Sequence, residues 1–122
     1  MGFVCLLRIE LFFPESGSLK GKRKELQSLK AQLRRRFGAA VAETDHHDLW
    51  QRATLAAAVV GRDAGAASEG AAAVERFVRG RFPDGVHVER ALASSEELIG
   101  ARGLERSLSG APGAPGAFET RG

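Results

Sequence analysis

Cysteine is almost missing from this chain. One residue of 122, Cys5, carries a thiol, so no internal disulfide can form and a reducing, cytoplasmic setting is expected. No run of 18 or more apolar residues occurs, which leaves no candidate membrane-spanning helix. The apolar opening MGFVCLLRIELFF is broken by Arg8 and Glu10, follows no basic segment and precedes no small-residue cleavage site, so it reads as structure and not as a secretion signal. Neither a GxxxxGKS/T phosphate loop nor a GxGxxG turn is present. Acids are scarce in one place above all. Between Leu19 and Arg36 eight basic residues face a single acid, Glu25, so that stretch carries +7; the whole chain is +3, and the remainder therefore totals −4. Charge that localised makes a field a ligand can use.

What is present is periodic. Residues 3–13 alternate, with Phe3, Cys5, Leu7, Ile9, Leu11 and Phe13 on one face and Arg8 and Glu10 on the other, which predicts a strand ended by Pro14 and the turn PESGS. Ser18 then suits a helix N-cap and Gly38 a C-cap, with Leu19, Leu26, Leu29, Leu33 and Phe37 recurring at helical spacing between them. AAVAETD and QRATLAAAVVG predict a second and a third strand, the latter with Leu55, Ala57 and Val59 facing one way. Asp63 can cap a second helix striped by Ala67, Gly70, Ala71, Val74, Phe77, Val78 and Phe82, which Gly65, Gly70 and Gly80 should loosen. PDG (Pro83 to Gly85) is a turn, and VHVERAL a last short strand. The order βαββαβ implies an α+β, ferredoxin-like sandwich: a four-stranded antiparallel sheet with both helices on one face. Residues 1–92 are expected to form this domain. The segment 93–122, ending SGAPGAPGAFETRG, should be a disordered tail, with at most a transient helix over EELIGARGLERSL.

The stretches LRIELFFPESGSLKGKRKELQSLKAQLRRRF and VAETDHHDLWQRATLAAAVV resemble the YlxP-like family, small bacterial proteins of unknown function. The most specific pieces are SLKGKR and AETDHHDLWQRATL, and the resemblance covers residues 3 to about 92. It implies the same ferredoxin-like fold and a genomic setting beside translation-initiation and ribosome-maturation factors; it carries no catalytic motif.

Three places could carry a function. TDHHDLWQRAT holds two histidines, two aspartates and the single tryptophan. Adjacent His46 and His47 point apart on a strand or turn, whereas metal ligands must converge, so no metal site and no cofactor are expected. A histidine–aspartate dyad needs a nucleophile or pocket beside it, and none is evident. A polar hairpin turn, with Asp45 or Asp48 accepting backbone amides, is the simpler reading. Within it Asp48, Trp50 and Arg52 are candidate interaction residues. Trp50 either lids the core edge or serves as a contact; core-edge packing is favoured because a large aromatic gains most from burial.

The first helix is the better candidate. Lys20, Lys24 and Arg35 lie opposite its apolar seam, and Arg23, Gln27, Lys30 and Arg34 form a flanking row. Together with Lys22, the cations Lys20, Arg23, Lys24, Lys30, Arg34 and Arg35 make a candidate nucleic-acid surface, and RNA or a ribosomal particle is the expected partner. The ordinary alternative is a merely solvated face. Aromatic base-stacking on the central strands, as in the RNA-recognition module, is not expected, since RATLAAAVV has no aromatic. An acylphosphatase-like phosphate loop is also disfavoured, because Arg23 should already be helical. Finally, Val4, Leu6 and Phe12 beside Ala56, Ala58 and Val60 would leave a partly apolar open sheet face, a candidate for protein contact or a homodimer. The expectation is a binding protein without catalysis.

Overall fold

The alternation in the first strand does what it predicts. The computed structural model, which describes residues 1–14 and 17–100, buries Cys5, Leu7, Ile9 and Leu11 of β1 (Phe3–Phe12) on one side. There follow α1 (Leu19–Phe37), β2 (Ala40–Asp45), β3 (Arg52–Gly61), α2 (Ala64–Arg81) and β4 (Val86–Ser94). The strands pair in the order β2-β3-β1-β4, with β1 antiparallel to both β3 and β4, and β2 antiparallel to β3. This is the ferredoxin-like α+β sandwich. No helix among the described residues is long and apolar enough to cross a membrane.

Both helices press on the same face of the sheet. Leu26, Leu29 and Leu33 of α1 and Ala67, Ala71, Val74 and Val78 of α2 meet Leu55, Ala57 and Val59 of β3 and the buried row of β1. Each large aliphatic so enclosed contributes roughly 1.5–3 kcal/mol relative to exposure. Phe13, just past β1, seals one end by an edge contact with Phe82 at 5.3 Å between ring centroids. Arg36 stacks over the Phe77 ring at 4.7 Å and closes the gap between the helices.

The helix ends follow their capping residues. The Ser18 hydroxyl accepts the Gly21 N–H at 3.0 Å, and the Asp63 carboxylate accepts that of Ala66 at 2.8 Å. Gly38 adopts φ 63°, the left-handed conformation glycine reaches without strain, and donates its N–H to the Arg34 carbonyl. Gly70 does not simply loosen α2. A Cβ there would stand 2.7 Å from Cγ1 of Val59, so the glycine is what lets α2 approach β3.

The expected boundary at residue 92 is too early. β4 runs on through Ser94, and residues 95–100 are helical. The reason is a reciprocal cap: the Ser94 hydroxyl accepts the Glu97 N–H at 3.0 Å while the Glu97 carboxylate accepts the Ser94 N–H at 2.8 Å. The structureless tail expected from residue 93 is therefore corrected over its first eight residues. The remainder, 101–122, lies outside the described residues.

Candidate nucleic-acid interface

The amphipathic pattern of α1 fixes which of its cations reach solvent. Lys20, Arg23, Lys24, Arg34 and Arg35 are exposed and Lys30 is half-buried. Among the described residues none of these six makes an ion pair. Glu25 is the helix's own acid. Arg34 is partly engaged, donating to the Val41 carbonyl at 3.0 Å, and so ties the last turns of α1 to β2. Among the described residues the strip is thus a row of cations without an ion-pair partner.

Lys22 is a correction. Its charge and its place in SLKGKR assign it to this surface, yet its exposure is 0 %. Leu19, Lys22, Leu26, Leu29 and Leu33 recur at alternating spacings of three and four, so the lysine stands inside the apolar seam. Its ammonium is turned toward the hairpin between β2 and β3, donating to the carbonyls of His46 and Leu49 at 2.7 Å each and of His47 at 3.5 Å. The Glu43 carboxylate, on the core-facing side of β2, stands 3.7 Å away. Four oxygens converge on one nitrogen, as they would on a small cation. Lys22 is a scaffold residue, unable to reach a ligand.

That contact explains the polar stretch. His46 takes φ 65°, unusual for a residue with a side chain, and its N–H is accepted by Asp45 at 2.8 Å. Its Nδ1 is hydrogen-bonded to the Thr54 hydroxyl at 2.9 Å, and the Thr44 hydroxyl donates to the Thr54 carbonyl at 3.3 Å. Among the described residues no three His, Cys, Asp or Glu side chains converge as a metal would require. The stretch is a polar turn built around a buried ammonium, and sequence reasoning missed the lysine that organises it. The available signal is a charged residue occupying a seam position.

The loop tip is open. Asp48 is exposed, Leu49 is 47 % exposed and Trp50 49 %. The preferred core-edge placement of Trp50 is therefore corrected: the tether to Lys22 holds the loop where half of the indole remains in water. Arg52, at the start of β3, lays its guanidinium over the Phe12 ring at 5.4 Å, and Phe12 is itself 42 % exposed.

The open sheet face divides in two. One end holds Val4, Leu6, Ala58 and Val60, and by register Ala40, Ala91 and Ala93 join them, with Ala56 and Ala42 next in line, level with Arg8. At the other end Arg8 reaches across to Glu89, its Nε 3.0 Å from the carboxylate. The hydrogen bond from Arg8, then its charge, hold the Glu89 carboxyl below its ordinary value, and Glu89 in turn raises Arg8. Arg23, weighed for a phosphate loop, lies on α1. A groove of about 440 Å³ near the start of α1 mixes Arg81 with Glu25 and Asp84, a lining that gives anions no preference.

No curated protein matches the chain in sequence. Among solved structures, the de novo designed protein Foldit4 aligns at 10% identity with a TM-score of 0.52, covering 78% of this chain and 99% of its own. The designed protein LFR1 1 with ferredoxin fold covers 94% and 96% at 10% identity and a TM-score of 0.44. Protein SO0527 from Shewanella oneidensis covers 75% and 90% at 22% identity and a TM-score of 0.42. At such identities Foldit4 speaks to the fold alone, and the lower-scoring pair to nothing further. A family model described as "Protein of unknown function (DUF503)" matches residues 4–91, the whole span from β1 into β4, and the chain belongs to that family.

Proposed function

We propose that this protein is a cytoplasmic binder of structured RNA or of a ribosomal particle, reached through the exposed face of α1, and that it performs no catalysis. The observation that carries the reading is the strip Lys20, Arg23, Lys24, Lys30, Arg34 and Arg35, which has no ion-pair partner among the described residues. Like charges crowded on one helix face repel unless a polyanion supplies the counter-charge, and releasing the counterions of an RNA backbone drives such contacts. The YlxP-like resemblance, with its setting beside translation factors, supports the same direction. Reversing Lys20, Arg23 and Lys24 to Glu is expected to abolish RNA retention at moderate salt. Retention by that variant equal to wild type would end the proposal. Crosslinking in cells, followed by sequencing of attached RNA and identification of attached proteins from the same sample, would name the partner.

A second reading rests on a different observation. Leu6 is 52 % and Val60 76 % exposed amid alanines on the open sheet face, which suits a homodimer or another protein. That association would be insensitive to salt, and light scattering showing a clean monomer at micromolar concentration would remove the homodimer.

A further inference from the structure

Two features of the β2–β3 loop cost free energy locally. A residue with a side chain, His46, is held at φ 65°, and a lysine ammonium is taken wholly out of water to bind the carbonyls of His46 and Leu49. Strain of this type persists where surrounding structure enforces it, and it gathers at working sites. Here both costs go into holding one tip whose apolar side chains, Leu49 and Trp50, stay about half exposed. A tip serving only to join two strands would need neither.

The same tether decides what the tip is near. Lys22 follows Gly21 and precedes Arg23 and Lys24 on α1, and it bonds the carbonyl adjoining Trp50. Standard bond lengths then place the Trp50 Cα no more than roughly 12 Å from that of Lys22. Trp50 and the start of the basic strip, separate in sequence, are thus brought to the same end of the molecule by Lys22. Arg52, over the exposed ring of Phe12 at 5.4 Å, places a cation against another exposed aromatic at the start of β3. Cations that follow a backbone, beside aromatic faces that accept bases, are the components of a single-strand nucleic-acid platform. Lys20, Arg23 and Lys24 on α1 outnumber the exposed acids of the turn, Asp45 and Asp48, which favours a polyanion over an apolar peptide.

We propose that this loop is a stacking position for an unpaired base on Trp50, adjoining the phosphate-binding strip of α1. The inference rests on the RNA reading above and narrows its ligand to RNA with single-stranded nucleotides. It differs from stacking on the middle of the open sheet, where β3 has no aromatic and the exposed ring of β1, Phe12, lies at the strand's end under Arg52.

The chain tests it unaided, because Trp50 is its one tryptophan and it has no tyrosine. Indole emission therefore reports that ring alone. The full chain is titrated with an oligouridylate and, separately, with a perfect RNA duplex of equal phosphate count. The single strand is expected to quench emission, and the duplex to bind without quenching. Trp50→Ala should weaken oligouridylate binding between about 5-fold and 150-fold, with Trp50→Phe restoring most of it and duplex affinity unchanged in both. Oligouridylate binding that leaves emission unaltered, with Trp50→Ala at wild-type affinity, overturns the stacking position while leaving the α1 reading intact. Binding of neither RNA by the wild-type chain overturns both. Crosslinking in cells that joins Trp50 to protein and not to RNA overturns the stacking position in favour of a peptide partner.

Discussion

Lys22 and Arg23 are adjacent on one helix and carry the same charge, yet the structure uses them in opposite ways. The first is fully enclosed, with three carbonyls and a carboxylate around its nitrogen. The second is exposed and without an ion-pair partner among the described residues. The hundred-degree step between neighbours on a helix is what separates them. A count of cations in the stretch 19–36 gives eight, whereas the strip holds six, because Lys22 is enclosed and Arg36 stacks over the Phe77 ring. Position relative to the apolar seam distinguishes a lysine that builds the fold from one left facing solvent.

The sharpest way to break this contrast is to remove the interior charge. Lys22→Met should cost about 3–5 kcal/mol, because it leaves the Glu43 carboxylate and the loop carbonyls enclosed with no counter-charge. A shift in the urea midpoint with unchanged slope would measure it, and Trp50 emission should report a loosened loop before global unfolding. A loss below about 1 kcal/mol would mean that water replaces the ammonium and that the tether is dispensable. Glu43→Gln asks which oxygens matter. The carboxylate stands at 3.7 Å and the two nearest carbonyls at 2.7 Å, so this change should cost only about 1 kcal/mol. Equal losses in the two variants would instead make the ion pair dominant.

The exterior half of the comparison predicts near silence in stability. The first turn of α1 contains no acid, so reversing Lys20, Arg23 and Lys24 to Glu places negative charge near the positive end of the helix dipole. That should leave unfolding unchanged or raise stability by a few tenths of a kcal/mol. On the proposed RNA reading, binding should by contrast fall away, and the slope of affinity against salt should flatten by nearly one for each phosphate no longer neutralised. A large destabilisation would show that these side chains, like Lys22, are holding the fold together.

Much of this architecture is legible in the residues, and most of what is not has a common cause. Ser18, Gly38 and Asp63 mark their helix ends because capping is a local interaction. The row Cys5, Leu7, Ile9, Leu11 marks the buried face because a strand alternates strictly. Gly70 reads as a weakness in the sequence, since its value lies in a contact with Val59, eleven residues earlier in the chain. Lys22 and Trp50 are illegible for the same reason. The lysine's partners sit 24 and 27 residues away, and the tryptophan's exposure follows from that distant tether. The reciprocal cap of Ser94 and Glu97 is different, a local signal present in SSEE that the polar composition of the tail outweighs.

The exposed pair Arg8–Glu89 offers the gentlest test, as a second ion pair to set against Lys22–Glu43. Glu89 is bonded and charged against Arg8, with His87 at 3.8 Å, and its carboxyl lies below the ordinary value of 4.5. A carboxylate whose folded value is depressed adds stability above its unfolded value, and loses it as pH falls through the lower, folded one. Any contribution from this pair should thus be constant near neutrality and vanish only in acid. Both side chains are more than half exposed, so solvent and salt screen the attraction. Wild type and Glu89→Gln should then have unfolding midpoints that nearly coincide at neutral pH and converge fully in acid. A clear gap at neutral pH that persists in high salt would show that the open sheet face shields its charges better than its exposure implies, and would weaken the division between interior and surface charge drawn on α1.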